Sequence, residues 1–333
     1  MMTTETAATK PRKALPSMSV LGPVIALLVL ILVGTALNSN FLSAANITNV
    51  LARSAFIGII AVGMTFVITA GGLDLSVGSM AAFIAGLMIL VMNAALPVLG
   101  VGIPIILLGM VVALVAGIAA GLLNGFLITT LGIEAFIVTL GSMGIYRSLV
   151  TWLADGGTLS LDFGLRTFYR PVYFGGLFGI SWPIIIFALT VIVGEVLMSR
   201  ARFGRHCAAI GSNENVAHYS NVNVNRTRLL TYAMLGMLVG VATIMYVPRL
   251  GSASASTGVL WELEAIAAVI IGGTILKGGF GRVWGTVIGV LILSMIDNIL
   301  NLTDLVSPYL NGAIQGVIII LAVILQREAK AKG

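Results

Sequence analysis

Residues 63–79 read Gly63-Met-Thr-Phe-Val-Ile-Thr-Ala-Gly-Gly-Leu-Asp-Leu-Ser-Val-Gly-Ser79. An apolar run that starts near Ile47 reaches Gly71-Gly72, passes a lone acid at Asp74, and resumes as a second apolar run to Met92. Each run approaches the ~20 residues that cross a bilayer, and glycine supplies the sharp reversal between them. A chain that turns and re-enters so quickly leaves no room there for a soluble layer. The stretch therefore predicts a polytopic membrane protein. A charge deep in hydrocarbon costs about 2.5–3.5 kcal/mol on insertion scales, so Asp74 is cheapest where a helix restarts. Two readings stand for it: an N-cap that accepts backbone N–H bonds of the next helix, or a polar group on a solute pathway.

The rest of the chain agrees with this reading. It is 59% hydrophobic and 9% charged, with a mean hydropathy of +1.10, against about 25% charged in soluble domains. The expected fold is an all-α polytopic membrane protein with about ten transmembrane helices. The spans are Met18–Leu37, Ile47–Ala70, Leu75–Met92, Ile103–Thr129, Phe136–Ala154, Ser181–Ser199, Leu229–Val247, Ala265–Leu276, Val283–Leu300 and Leu310–Gln326. The eighth is short, which predicts an extension upward through Leu260–Glu264 or a discontinuous helix. The apolar run after the basic stretch 1–13 lacks a small-residue cleavage pattern, so it is expected to be a first helix rather than a removed signal. Residues 1–17 and 327–333 are read as tails flanking one permease domain, 18–326.

Positive charge sets the expected orientation. Lys10, Arg12, Lys13, Arg200, Arg202, Arg205, Arg226, Arg228, Lys277, Arg282, Arg327, Lys330 and Lys332 fall on one side, and Arg166 and Arg170 on the other. Both termini are therefore expected in the cytoplasm. The net charge of +6 is spread over loops and tails rather than one face, which speaks against a nucleic-acid partner. The central block from Arg200 to Arg228 holds a helix-compatible segment, Gly211-Ser-Asn-Glu-Asn-Val-Ala-His-Tyr-Ser220. A basic, folded cytoplasmic segment in a membrane protein predicts a docking surface for a soluble partner. Residues 155–180 form the largest segment on the opposite side, with room for a small helix.

The spacing of Ala61-Val62, Gly71-Gly72 and Gly78 matches that of Ala268-Val269, Gly278-Gly279 and Gly285. Transporters are often built from repeats, and apolar spans also share residues by chance; both explanations stand. Glycine pairs such as Gly117/Gly121 and Gly272/Gly273 are expected to let helix backbones approach closely. Arg147 is a candidate functional charge inside a span or a side chain snorkelling to the interface. Asn298 is expected to bond a neighbouring helix or face a polar vestibule, and Glu262 and Glu264 to occupy the first turn of the eighth span.

One cysteine, Cys207, and two histidines, His206 and His218, leave no basis for an internal disulfide, a metal centre or a Ser/His/Asp site. The sequence contains no Gly-x-x-x-x-Gly-Lys-[Ser/Thr] phosphate loop. No catalytic residue, metal or cofactor is expected in this chain.

The segments Ala61-Val-Gly-Met-Thr-Phe-Val-Ile and Gly-Gly-Leu-Asp-Leu-Ser-Val-Gly-Ser79 together resemble the signature of ribose-type ABC importer permeases. So do Ala135-Phe-Ile-Val-Thr-Leu140, Arg202-Phe-Gly-Arg205, Ala209-Ile-Gly-Ser-Asn-Glu214, Leu263-Glu-Ala-Ile-Ala-Ala-Val-Ile-Ile-Gly-Gly-Thr274 and Gly278-Gly-Phe-Gly-Arg282. They occur in the family's order, and the resemblance runs from about Phe41 to Gln326. It implies a type II-like importer in a bacterial inner membrane, surrounded by membrane lipid. Two permease copies would form a homodimer with the pathway near its axis, seated on two cytoplasmic ATP-binding subunits that carry the ATP and Mg. A periplasmic sugar-binding protein would deliver the solute.

Residues 211–223 would then be the coupling helix, with Gly211, Asn213, Glu214, Ala217, His218, Tyr219 and Ser220 as its ATPase-facing set. Asp74, Ser76, Ser79, Asn124, Thr139, Arg147, Glu264 and Asn298 are the candidate pathway or gating residues. Arg53, Arg166 and Arg170 are the candidate contacts for the binding protein. The segment departs from the family pattern at Asn215-Val216 and Ser220-Asn221, where small residues are usual, which implies a matched and selective ATPase. The alternatives are an amino-acid permease of the same kind and an ATP-independent facilitator.

Overall fold

The computed structural model describes residues 18–303 and positions 310, 312–314, 316–317 and 320. The expected tails 1–17 and 327–333, and most of the tenth span, lie outside the described residues. In chain order the elements are α1 (Met18–Leu37), α2 (Ala44–Thr69), α3 (Val77–Leu99), α4 (Ile103–Thr129) and α5 (Ala135–Leu153). Next come β1 (Thr158–Ser160), α6 (Phe163–Tyr169), α7 (Pro171–Phe174), β2 (Gly176–Leu177), β3 (Ile180–Ser181) and α8 (Trp182–Ser199). Then follow α9 (Arg202–Ser212), α10 (Glu214–Tyr219), α11 (Val224–Leu250), β4 (Ser252–Ser254), α12 (Trp261–Ile271) and α13 (Val283–Thr303).

Among the described residues, 7 helices are long and apolar enough to cross a membrane: α2, α3, α4, α5, α8, α11 and α13. In α1 the stretch Gly22–Leu37 is a shorter apolar helix. The eighth expected span is extended upward, as one of its two alternatives had it: α12 starts at Trp261, has 11 residues, about 16 Å at 1.5 Å per residue, and stops at Gly272-Gly273, short of the expected end at Leu276. The all-α expectation needs one addition, a pair of two-stranded antiparallel ribbons, β1–β4 and β2–β3. In the first, Thr158 lies opposite Ser254 and Ser160 opposite Ser252, which pins the segment after α5 to the segment after α11.

The interior is built on α2 and α11, whose apolar windows are 83% and 67% buried, while those of α5 and α8 are 28% buried. Gly117 and Gly121 of α4 press on the backbone of Gly236 and Tyr232 in α11, and a methyl group on any of the three glycines would collide with a carbonyl oxygen. This is the close approach expected of glycine in spans. On α2, Phe56 stacks on Tyr173 at 5.7 Å and lies edge-on to Tyr246 at the same distance, with Trp261 5.0 Å from Tyr246. Those rings fill the α6–α7 end, where the Tyr169 hydroxyl donates to the Ile244 carbonyl at 2.8 Å.

Candidate functional site

At the α9–α10 end the candidate coupling segment consists of two helices rather than one. α9 starts at Arg202, and Asn213 separates it from α10 by capping it: its side chain accepts from the Val216 amide at 3.1 Å. Short polar side chains at an N-cap satisfy one of the otherwise unpaired first-turn amides. The predicted ATPase-facing residues divide into two groups. Asn213, Glu214, His218, Tyr219 and Ser220 are exposed, Tyr219 at 87%. Ala217 faces inward and packs with Ile210 and Val224, so it holds α10 down instead of meeting a partner. Glu214 is paired with Arg228 of α11 at 2.7 Å, which ties α10 to the next helix.

Gly211 is the point where this segment meets the turns that follow α2 and α12. A methyl group there would overlap the Thr69 carbonyl and the Gly279 amide and come within 3.0 Å of Gly278 Cα. Gly278 in turn lies against Gly71, and the Gly279 amide donates to the Thr69 carbonyl at 3.0 Å. The two Gly–Gly turns of matching spacing therefore touch each other and the same residue of α9. Gly71, Gly278 and Gly279 have φ of 78°, 86° and 87°, the left-handed region that favours glycine. The Thr65 and Thr286 hydroxyls share a hydrogen bond of 2.8 Å just beyond this joint.

The second cluster is buried where α2 gives way to α3. Asp74 is not the N-cap of α3; Ser76 holds that position. The Asp74 carboxylate reaches two residues forward instead, accepting from the Ser76 amide at 2.7 Å and its hydroxyl at 2.6 Å. Its other oxygen accepts from the Asn124 amide nitrogen of α4 at 3.2 Å, and Asn124 also donates to the Ser76 hydroxyl at 3.0 Å. Ser142 of α5 completes the cluster by donating to the Asn124 oxygen at 2.6 Å. The cap reading fails because Asp74 stands two residues before the N-cap position, with one carboxylate oxygen on Ser76 and the other on Asn124 of α4. Every bond to the carboxylate is donated to it, the pattern an anion requires.

The structure thus brings Asp74, Ser76 and Asn124 together, with Ser79 one turn on bonding the Ser76 carbonyl at 2.9 Å. Ser142 was missed; its only sequence signal is that it shares a helical face with Thr139 and Tyr146. Tyr232 was also missed, although its hydroxyl donates to the Leu73 carbonyl at 3.1 Å and so supports the same turn. Thr139 is buried and bonds back to Ala135 at 2.8 Å within α5.

Arg147, Glu264 and Asn298 lie apart from the cluster. Arg147 donates to the Ala255 and Thr257 carbonyls at 2.5 and 2.6 Å, so it ties α5 to the segment before α12 and does not snorkel. Asn298 exchanges amide bonds with Asn46 of α2 at 2.9 and 2.8 Å. Glu264 is half-buried in the first turn of α12. Two shallow cavities, about 530 and 380 Å³, lie along α5, one lined by Gly141, Gly144 and Ser148, the other by Arg147, Trp152 and Asp155.

At the α6–α7 end, Arg53, Arg166 and Arg170 are all exposed. Arg170 lies 5.0 Å over the Phe174 ring, and Arg166 rests on Gly251. Burial pushes the Tyr173 hydroxyl up, against the pull of the Arg249 and Arg53 charges, and Arg53 lies one helical turn from Phe56, whose ring stacks on Tyr173 of α7. The three arginines therefore border one segment. Among the described residues no group of three His, Cys, Asp or Glu gathers as a metal site.

Comparison with known proteins adds to this geometry. Residues 46–323 match the family model described as the permease component of a branched-chain amino acid transport system. The ribose import permease protein RbsC of Bacillus subtilis (strain 168) is 40% identical over 317 residues, covering 94% of each chain. RbsC of Escherichia coli (strain K12) is 36% identical over 306 residues, covering 91% of this chain and 92% of its own. The xylose transport system permease protein XylH of Haemophilus influenzae is 31% identical over 359 residues, covering 89% of this chain and 92% of its own. These relatives are named as permease proteins, and sugars are the solutes in their names. With membrane-length apolar helices around a buried polar turn, the chain is a multi-pass membrane protein and belongs to the ribose-type ABC importer permease family.

Proposed function

We propose that this chain is the membrane-spanning subunit of a binding-protein-dependent importer for a monosaccharide or related polyol in a bacterial inner membrane. Two copies form the pathway, ATP hydrolysis on cytoplasmic partner subunits drives it, and a periplasmic binding protein supplies the solute. Both termini are on the cytoplasmic side, with α9–α10. The observation that carries the reading is the joint at Gly211. An exposed surface, Asn213–Ser220, is clamped through one backbone contact to the turns that follow α2 and α12. A push on α10 is therefore passed to two membrane elements at once, because packed backbones have no slack to absorb it.

A neutral solute suits the interior of this chain. Asp74, the one acidic residue fully buried among the described residues, is engaged with Ser76 and Asn124, and Glu262, whose Oε2 is also buried, lies in the first turn of α12. Hydroxyls, amides and small residues make up the rest of the polar lining. The open face of α5, with Gly141, Gly144 and Ser148, is the wall we assign to the path between the two copies. Arg53, Arg166 and Arg170 would meet the binding protein at the opposite end.

The test is uptake of labelled ribose and xylose into liposomes holding this chain with its partner ATPase and binding protein. ATP-dependent sugar accumulation is expected. Accumulation of branched-chain amino acids instead would favour the second permease reading, which the family description supports. Equilibration of sugar without ATP would overturn the importer and leave a facilitator.

A further inference from the structure

The ribbon β2–β3 carries a surface that the transport reading does not use. Gly176 pairs with Ser181 and Leu177 with Ile180, and the turn between them is Phe178-Gly179. Both turn residues have positive φ, 52° and 79°, as tight hairpins require. Glycine is at home there, but a bulky residue in the left-handed region is an outlier. Phe178 is nonetheless held in that conformation and is 94% exposed. Leu177, Ile180 and Phe174 are exposed beside it.

What lies against this apolar tip follows from its place in the chain. The ribbon runs directly into α8, which has 18 residues and so spans about 27 Å, short of the ~30 Å hydrocarbon core. The remaining few ångströms fall at the ribbon. Leu189, Ile192, Val193 and Val196 continue the exposed apolar surface along α8. The sequence carries no charged residue from Pro171 to Gly194, so the ribbon and the α8 surface that continues it have no ionic group of their own. At the margins are the groups that mark a membrane interface: Trp182 at the first residue of α8, and Arg170 over the Phe174 ring at 5.0 Å. Aromatic rings and cations collect at the headgroup level.

The geometry points to the β2–β3 hairpin as an interfacial anchor whose tip, Leu177-Phe178-Gly179-Ile180, inserts into the boundary between lipid headgroups and acyl chains. It completes the crossing that α8 leaves short and fixes the depth of the α6–α7 segment. This inference depends only on the chain being a membrane protein, not on what it transports.

The sequence offers a direct test, because Cys207 is its one cysteine. It is buried in α9, and burial pushes its thiol up to about 12, so it stays unlabelled under conditions that modify an exposed thiol. Phe178→Cys carries a nitroxide in liposomes of phosphatidylcholine and phosphatidylglycerol, with Tyr219→Cys and Ile192→Cys as aqueous and lipid references. Expected is a collision rate with a water-soluble nickel chelate several-fold below that at position 219, and one with oxygen close to that at position 192. A nickel collision rate at position 178 equal to that at 219 would overturn the anchor. So would protection from nickel that arises only when the periplasmic binding protein is added, since the tip would then be a protein-docking surface.

Discussion

At Gly211 a methyl group would land on the backbone of two neighbouring turns; at Gly141 and Gly144, on α5, it would meet nothing within 4 Å. Gly211 lies in the basic segment and Gly141 and Gly144 in an apolar span, and neither setting tells in sequence whether the space beside the glycine is filled or open. At the first, the missing side chain is what lets α9, the α2 turn and the α12 turn touch. At the second, it leaves a shallow surface on a helix whose apolar window is only 28% buried within the protomer. A glycine that is already filled fixes a joint, and a glycine that is open leaves a face for something outside the chain. In lipid this distinction matters more than in water, because helices associate through close packing rather than through hydrophobic drive.

Substitutions can break or sharpen this contrast. The largest effect is expected from Gly211→Ala. Its Cβ would collide with backbone, which cannot rotate away, and overpacking of this kind costs about 3 kcal/mol at the upper end of its usual range. Thermal unfolding in detergent, followed by size-exclusion fluorescence, should show a clear loss of the folded species. An unshifted midpoint would mean that the joint has slack.

Next comes the buried cluster. Asp74→Asn retains shape but sets its amide hydrogens against those of Asn124, which now donates to the carboxylate at 3.2 Å. Leaving buried donors unpaired costs about 2 kcal/mol. Rescue of the midpoint by a second change, Asn124→Asp, would show that the pair acts through those bonds.

At α10 the expected stability effect is small. Glu214→Arg removes a partly exposed ion pair with Arg228, worth less than about 1 kcal/mol. Its signal should instead lie in function: ATP hydrolysis continues while sugar uptake falls. Unchanged uptake would count against α10 as the docking surface. The smallest effect belongs to Gly144→Ala, expected to stabilise the isolated protomer by no more than about 1 kcal/mol through helix propensity. A marked destabilisation, or a change in oligomeric state, would reveal a second copy packed on α5.

Much of the fold was legible from hydropathy. α1 and α4 have the bounds the sequence predicted, since an apolar run with a glycine or proline at its margin is read locally. α11 is longer than its apolar run, from Val224 rather than Leu229, because Asn223 caps it at 2.9 Å from the Arg226 amide. Charged first-turn residues do not stop a helix, although they end a hydropathy window. The shortness of α12 was also visible, as an apolar run too short to cross, and so was its start upstream, at Trp261.

The sequence by itself determined the membrane class, the family, the exposed basic segment and the residue types of the polar turn, because each is set by neighbours along the chain. The tertiary structure alone decided how those residues are used. Asp74, Asn124 and Ser142 come from three separate segments, and Ala217 and Tyr219 are two residues apart on one helix with opposite fates. The two Gly–Gly turns were a repeated spacing in the sequence, and only packing made them a single joint at Gly211. Hydrogen-bond partners and backbone contacts over such separations are fixed by how helices cross, and no local pattern encodes a crossing.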